Sequence, residues 1–192
     1  MLSGTQQKNS SYSEGSFGAH LDYFALPLTK RRQLLNDSSR GYYLWFRVGY
    51  LYAASPPNSD DFFKEHTIRT EMNNRFYVFK SSMLTIKSML DSRLIDGTIN
   101  FRYRPRVTIE QDFKTDYLSF TGYFFSEYFF DFDKSKNNRF RFCVGSEVKV
   151  SKKTSLELYY LKQLDNGFGI PTVHAIGVAL KGYFESKSYK HS

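Results

Sequence analysis

A single cysteine, Cys143, stands in 192 residues, so this fold has no intrachain disulfide to draw on. The four histidines, His20, His66, His174 and His191, lie far apart and show no metal-ligand spacing. No apolar run approaches the roughly 20 residues of a helical span, which excludes a helical membrane protein. Residues 1–8 carry neither a basic n-region nor an apolar h-region, so no signal peptide is visible. The expectation is a chain that is not exported, or one that lacks its natural start. Tryptophan is also scarce, at one residue, yet 19 phenylalanines and 15 tyrosines lift the aromatic share to 18% beside 24% charged residues. That mixture is foreign to a soluble core and natural where the two faces of every strand meet opposite solvents. The net charge of +8 admits nucleic acid or anionic lipid as a partner, and a solvated basic surface explains it equally well.

What is present is alternation. Along 139–150, Phe140, Phe142, Val144, Val148 and Val150 occupy even positions, while Arg139, Arg141, Glu147 and Lys149 occupy odd ones. Successive side chains of a strand point to opposite faces, so the segment has one apolar and one charged face. Nine segments read this way, at about 16–26, 42–54, 64–78, 83–94, 98–111, 117–130, 139–150, 154–163 and 172–184. Turn signals separate them, among them Ser55-Pro56-Pro57-Asn58, Asp96-Gly97, 135–138, 151–153 and 165–167. A short helical turn fits only within 27–40. Pro105 interrupts the alternation of the fifth strand and predicts a bulge there. The chain divides into a polar, disordered segment at 1–15, a single β-barrel domain at 16–185 and a polar tail at 186–192.

Alternation alone does not say which face meets water, because a soluble barrel turns its charges outward and a membrane barrel turns them inward. Three features favour the membrane. The strands reach ten residues or more, enough to cross a bilayer at a tilt. Aromatics gather near strand ends, at Tyr42 and Tyr43, Tyr50 and Tyr52, 128–130, and Tyr183 and Phe184. The polar face carries both signs and prefers arginine, whose planar guanidinium suits crowded, partly dehydrated sites. The predicted interior is an Arg–Glu network of Arg69, Glu71, Arg102, Arg104, Glu127, Arg139, Arg141, Glu147 and Glu157, with Ala175, Gly177 and Ala179 making room for long arginines opposite.

The order Arg102-Tyr103-Arg104, Glu127, Asn138-Arg139-Phe140-Arg141, Gly145, Leu156-Glu157-Leu158-Tyr159-Tyr160, Gln163 and His174 resembles the family of uncharacterised small outer-membrane β-barrels of Gram-negative bacteria, a domain of unknown function. The strand at 43–50 is compatible, and the resemblance covers roughly 40–185. It implies a fold and an outer-membrane location, with no activity or ligand attached. The chain departs from the pattern in its tail, which continues past Phe184, where such barrels usually end.

Chemistry finds little to rest on. His174 with Ser126 or Ser146 would be the raw material of an outer-membrane lipase, but no motif surrounds either serine. Cys143 reads as a packed thiol beside Arg141, and the glutamates read as ion-pair partners of arginines rather than metal ligands. The Arg102–Arg106 run alternates its tyrosine away from its arginines, which spoils a base-stacking platform. No cofactor is implied. The leading reading is an antiparallel up-and-down transmembrane-type barrel with outer-membrane lipid as partner and a structural role, or one in binding a small anion or lipid. The alternative is a soluble basic β-barrel that takes nucleic acid or an apolar ligand. Even strand number in bacterial barrels predicts ten strands, the first irregular within 1–13 or missing. The same reasoning makes 55–63, 131–138 and 164–171 external, and 27–40, 79–82 and 151–153 periplasmic.

Overall fold

The computed structural model describes residues 2–6, 13–27, 42–54, 64–79, 81–115, 118–132, 139–151, 154–165 and 172–182. They form ten strands: β1 Leu2–Gln6, β2 Ser13–Pro27, β3 Tyr42–Ala54, β4 Lys64–Phe79, β5 Ser82–Ile95, β6 Thr98–Lys114, β7 Ser119–Asp131, β8 Arg139–Lys149, β9 Thr154–Asp165 and β10 Val173–Gly182. Each strand pairs antiparallel with the next, so the sheet order is the chain order. Among the described residues no ladder joins β10 to β1. The sheet nevertheless curls on itself, because Trp45 and Arg47 of β3 line the same cavity as Lys181 of β10.

The strand expectations match within a few residues, and the departures have local causes. The polar N-terminal segment, expected to be disordered, contains β1, which pairs with Ser13–Phe17 of β2. Its Leu-Ser-Gly-Thr-Gln composition shows no apolar alternation, and it is the irregular first strand within 1–13 that the even strand number predicts. Pro105 makes no bulge. The β5–β6 ladder runs through it at Ser88↔Pro105, while toward β7 the ladder lapses between Tyr103↔Phe130 and Arg106↔Glu127 and resumes in the same register. A missing N–H therefore removes pairing on one side and leaves the strand straight. The irregularities fall instead between Phe24 and Pro27 and between Tyr77 and Phe79. The Asp96–Gly97 connection is a two-residue hairpin turn in which both residues adopt positive φ, 47° and 86°. That is the combination a tight turn between twisted strands needs. The expected helical turn near 30–35, the turns at 55–58, 135–138, 152–153 and 166–167, and the tail lie outside the described residues.

The two faces separate as alternation requires. Inward-facing Thr67, Asn73, Thr121, Glu127 and Ser155 are buried, while outward-facing Phe101, Tyr103, Ile109, Phe140, Leu156 and Leu158 are exposed. From β2 to β10, the described outward-facing positions carry basic residues only at Lys64, His66, Lys162 and His174. No arginine, aspartate or glutamate stands at those positions. The fold thus places its polar residues at the centre and its greasy residues on the surface.

Candidate functional site

The interior is organised by cross-strand rows, since residues opposite one another in register share a face. One row runs Arg69↔Asp91↔Arg102↔Asp131 across β4 to β7, with charge alternating at every step. Arg69 forks onto Asp91 through Nε at 2.6 Å and Nη2 at 3.2 Å. Arg102 forks onto Asp131 at 2.5 and 3.2 Å. Arg93 with Glu65 and Arg47 with Asp22 repeat the two-pronged geometry. Such planar pairing fixes direction as well as attraction.

The centre of the network is Glu127, fully buried on β7. Its Oε1 accepts from Arg104 Nε at 2.9 Å and Nη2 at 2.7 Å, and its Oε2 accepts from Arg106 Nη2 at 2.9 Å. Arg141 Nη1 stands 3.7 Å from the same oxygen and turns its other nitrogens to Gln163 Oε1. Arg104 also donates to Asp91 at 3.0 Å, so one connected cluster spans β4 to β9. Phe129, buried on the inward face, is flanked by Arg104 and Arg141 at 4.6 and 4.7 Å from its ring centre. The ring's negative face stabilises cations that have left bulk water.

A second cluster lies toward the other end, away from the Asp96–Gly97 turn. Lys181 reaches Glu147 at 2.8 Å and Glu157 at 3.0 Å, Ser155 donates to Glu147 at 2.5 Å, and Tyr123 donates to Glu157 at 2.5 Å. Here a lysine, not an arginine, neutralises the two glutamates. The next inward row toward the Asp96–Gly97 end runs Tyr123↔Gly145↔Tyr159↔Gly177 across β7 to β10. Each tyrosine ring folds over the glycine beside it. A methyl on Gly145 would sit 2.5 Å from Tyr123 Cζ, and one on Gly177 would overlap the Tyr159 ring. Gly177 therefore makes room for a tyrosine, not for the long arginines expected from its size.

Below the Glu127 cluster the interior opens into a cavity of about 270 Å³. Arg47, Arg75, Lys87 and Arg106 line it from β3 to β6, with Trp45 beneath the Arg75 guanidinium at 4.6 Å. Glu110, Tyr123, Phe125, Glu147, Glu157 and Lys181 complete the wall from β6 to β10. The interior is thus divided in two, an ion-paired plug toward the Asp96–Gly97 end and a polar cavity toward the opposite end.

Of the residues singled out from sequence, Arg69, Arg102, Arg104, Glu127 and Arg141 meet in or beside the plug. Glu71 binds Lys87 at 3.2 Å, Glu147 and Glu157 form the second cluster, and Arg139 stands at the end of β8 between Phe129 and Asp165 in register. Sequence reasoning left Asp22, Glu65, Lys87 and Asp131 out of the network. Their inward parity was the available signal. Cys143 is buried on the inward face. His174 is exposed and hydrogen-bonds Tyr160 Oη at 2.5 Å, whereas Ser126 and Ser146 stand opposite Phe142 and Leu158. Tyr50 and His66 make a matching pair at 2.6 Å. Both pairs lie near the Asp96–Gly97 end, where Tyr103, Tyr128 and Phe140 add to an outward aromatic belt.

The family described as Protein of unknown function (DUF2490) matches residues 17–173. No curated protein sequence matches the chain. Among solved structures, one described as a bacterial polysaccharide outer membrane secretin is similar, with a TM-score of 0.54 and 10% identity over 91% of this chain. The chain spans 58% of that protein's length, and at this identity the likeness concerns the fold alone.

Proposed function

This chain belongs to the family described as Protein of unknown function (DUF2490), and on that premise we propose that it is a small outer-membrane β-barrel whose outward face meets lipid and whose interior is closed by ion pairs. The observation that carries the reading is the inversion of its faces. Apolar side chains such as Leu21, Ile109, Leu158 and Ile176 are exposed around the sheet, while arginines and carboxylates turn inward. A soluble monomer seldom leaves contiguous apolar patches above a few hundred Å² in water. Strands of 10 to 17 residues from β2 to β10 meet or exceed the roughly 9–11 needed to cross a bilayer at a tilt. The belt of tyrosines with its two Tyr–His pairs fits an interfacial girdle. The similarity in fold to an outer-membrane secretin supports the same placement.

The role is structural and lipid-contacting, without a catalysed reaction. Barrels of about eight to ten strands have interiors largely filled by side chains rather than an open pore, and the Glu127 cluster closes this one toward the Asp96–Gly97 end. Folding of the urea-denatured chain into phosphatidylcholine vesicles tests the proposal. The expected product stays with the vesicles through an alkaline wash and migrates on a gel at different positions with and without boiling. A chain that stays soluble and monomeric without detergent would overturn the membrane reading. Stepwise conductance in a planar bilayer would overturn the closed interior.

A further inference from the structure

The cavity beside the plug is lined unevenly in charge. Arg47, Arg75, Lys87 and Arg106 stand with Glu110 on the arc formed by β3 to β6, three of these cations being held by Asp22, Glu71 and Glu127, whereas Glu147 and Glu157 stand on β8 and β9. Lys181 compensates part of the second arc, holding both glutamates at 2.8 and 3.0 Å. Tyr123 anchors Glu157 from β7, so that carboxylate is held in place rather than swinging free. The volume, about 270 Å³, lies at the small end of ligand cavities and is sufficient for an amino-acid-sized molecule.

These features select a charge pattern. A simple anion drawn to the cationic arc would share the space with carboxylates, and a simple cation would share it with guanidinium groups. In a confined site of reduced dielectric, each like-charge approach is costly. A molecule with one charge of each sign at opposite ends meets both arcs favourably. We propose that this cavity is a binding site for a small zwitterion of the amino-acid class, its acidic group toward Arg75 and Lys87 and its ammonium toward Glu147 and Glu157. The site depends on the curled sheet and not on what the outer face touches, so it stands apart from the membrane reading.

The test uses the full chain, folded in detergent and checked for its heat-dependent gel shift. Glycine, β-alanine and 4-aminobutanoate scan the spacing between the charges, and acetate and methylammonium serve as the two half-molecules. Binding is read by titration calorimetry. At least one amino acid is expected to bind roughly tenfold more tightly than either half-molecule. E157Q on one arc and K87Q on the other should each weaken it by a similar factor, and either variant suffices if the other fails to fold. Acetate binding as tightly as every amino acid would overturn the proposal in favour of an anion site. No binding by any of the three amino acids to folded protein, or binding unchanged in the folded variants, would also overturn it.

Discussion

Glu127 is the residue on which the interior depends most. It is buried with three arginines directed at one carboxylate, and any truncation strands those charges in a confined space. Removing one partner of a buried pair typically costs about 3–5 kcal/mol, because the charge left behind loses compensation without regaining water. E127A should therefore lower the urea midpoint of the folded chain by that order. E157A should cost less, since Glu157 shares Lys181 with Glu147. An E127A midpoint equal to wild type would mean that water fills the plug and screens its charges. The tyrosine–glycine row gives a second residue-scale outcome. G145A pushes a methyl into the Tyr123 ring, an overpacking of about 1–3 kcal/mol. Adding Y123A removes the clash, so the double variant should fall short of the sum of the single losses. Strict additivity in a double-mutant cycle would show that the ring does not rest on Gly145.

At the scale of strands and turns, much was legible beforehand. Period-two alternation locates β2 to β10 because each strand separates two environments, and that separation is written in composition. Alternation does not reveal β1, whose residues do not alternate between apolar and charged; the even strand count is what points to a first strand within 1–13. Pro105 was misjudged because a missing donor can be absorbed by one ladder without bending the strand. The interior charges were legible as a set, by parity, but their partners were not. Whether Arg102 meets Asp131 or Glu127 depends on the stagger between β6 and β7, which local sequence leaves open. The tyrosine–glycine row was hidden for the same reason, since each pair lies across two strands. The Asp96–Gly97 turn was legible outright, and it carries its own prediction. Its φ of 86° suits glycine, and Asp96 Oδ1 accepts from the Lys64 backbone N–H at 3.1 Å. G97A should cost about 1 kcal/mol, whereas D96N, which keeps the acceptor and tolerates positive φ, should be nearly neutral in the same unfolding assay. Equal losses in both would contradict the turn geometry.

For the whole molecule, the central claim is an inversion, with charge inside and grease outside, from which follows the proposal that the outer face is in lipid. Each neighbouring pair of positions along a strand tests it, because one residue faces each environment. Val144 and Cys143 are such a pair, exposed and buried in turn on β8. Leu158 and Glu157 are another on β9. The most direct measurement is the oxygen and nickel-chelate accessibility of spin labels placed singly at Ile109, Val144 and Leu158, in a cysteine-free background folded into phosphatidylcholine vesicles. All three labels should be readily reached by oxygen, which dissolves in lipid, and poorly reached by the water-borne chelate. Labels reached freely by the chelate, as on a water-facing strand, would contradict the inversion and with it the placement of this barrel in a membrane.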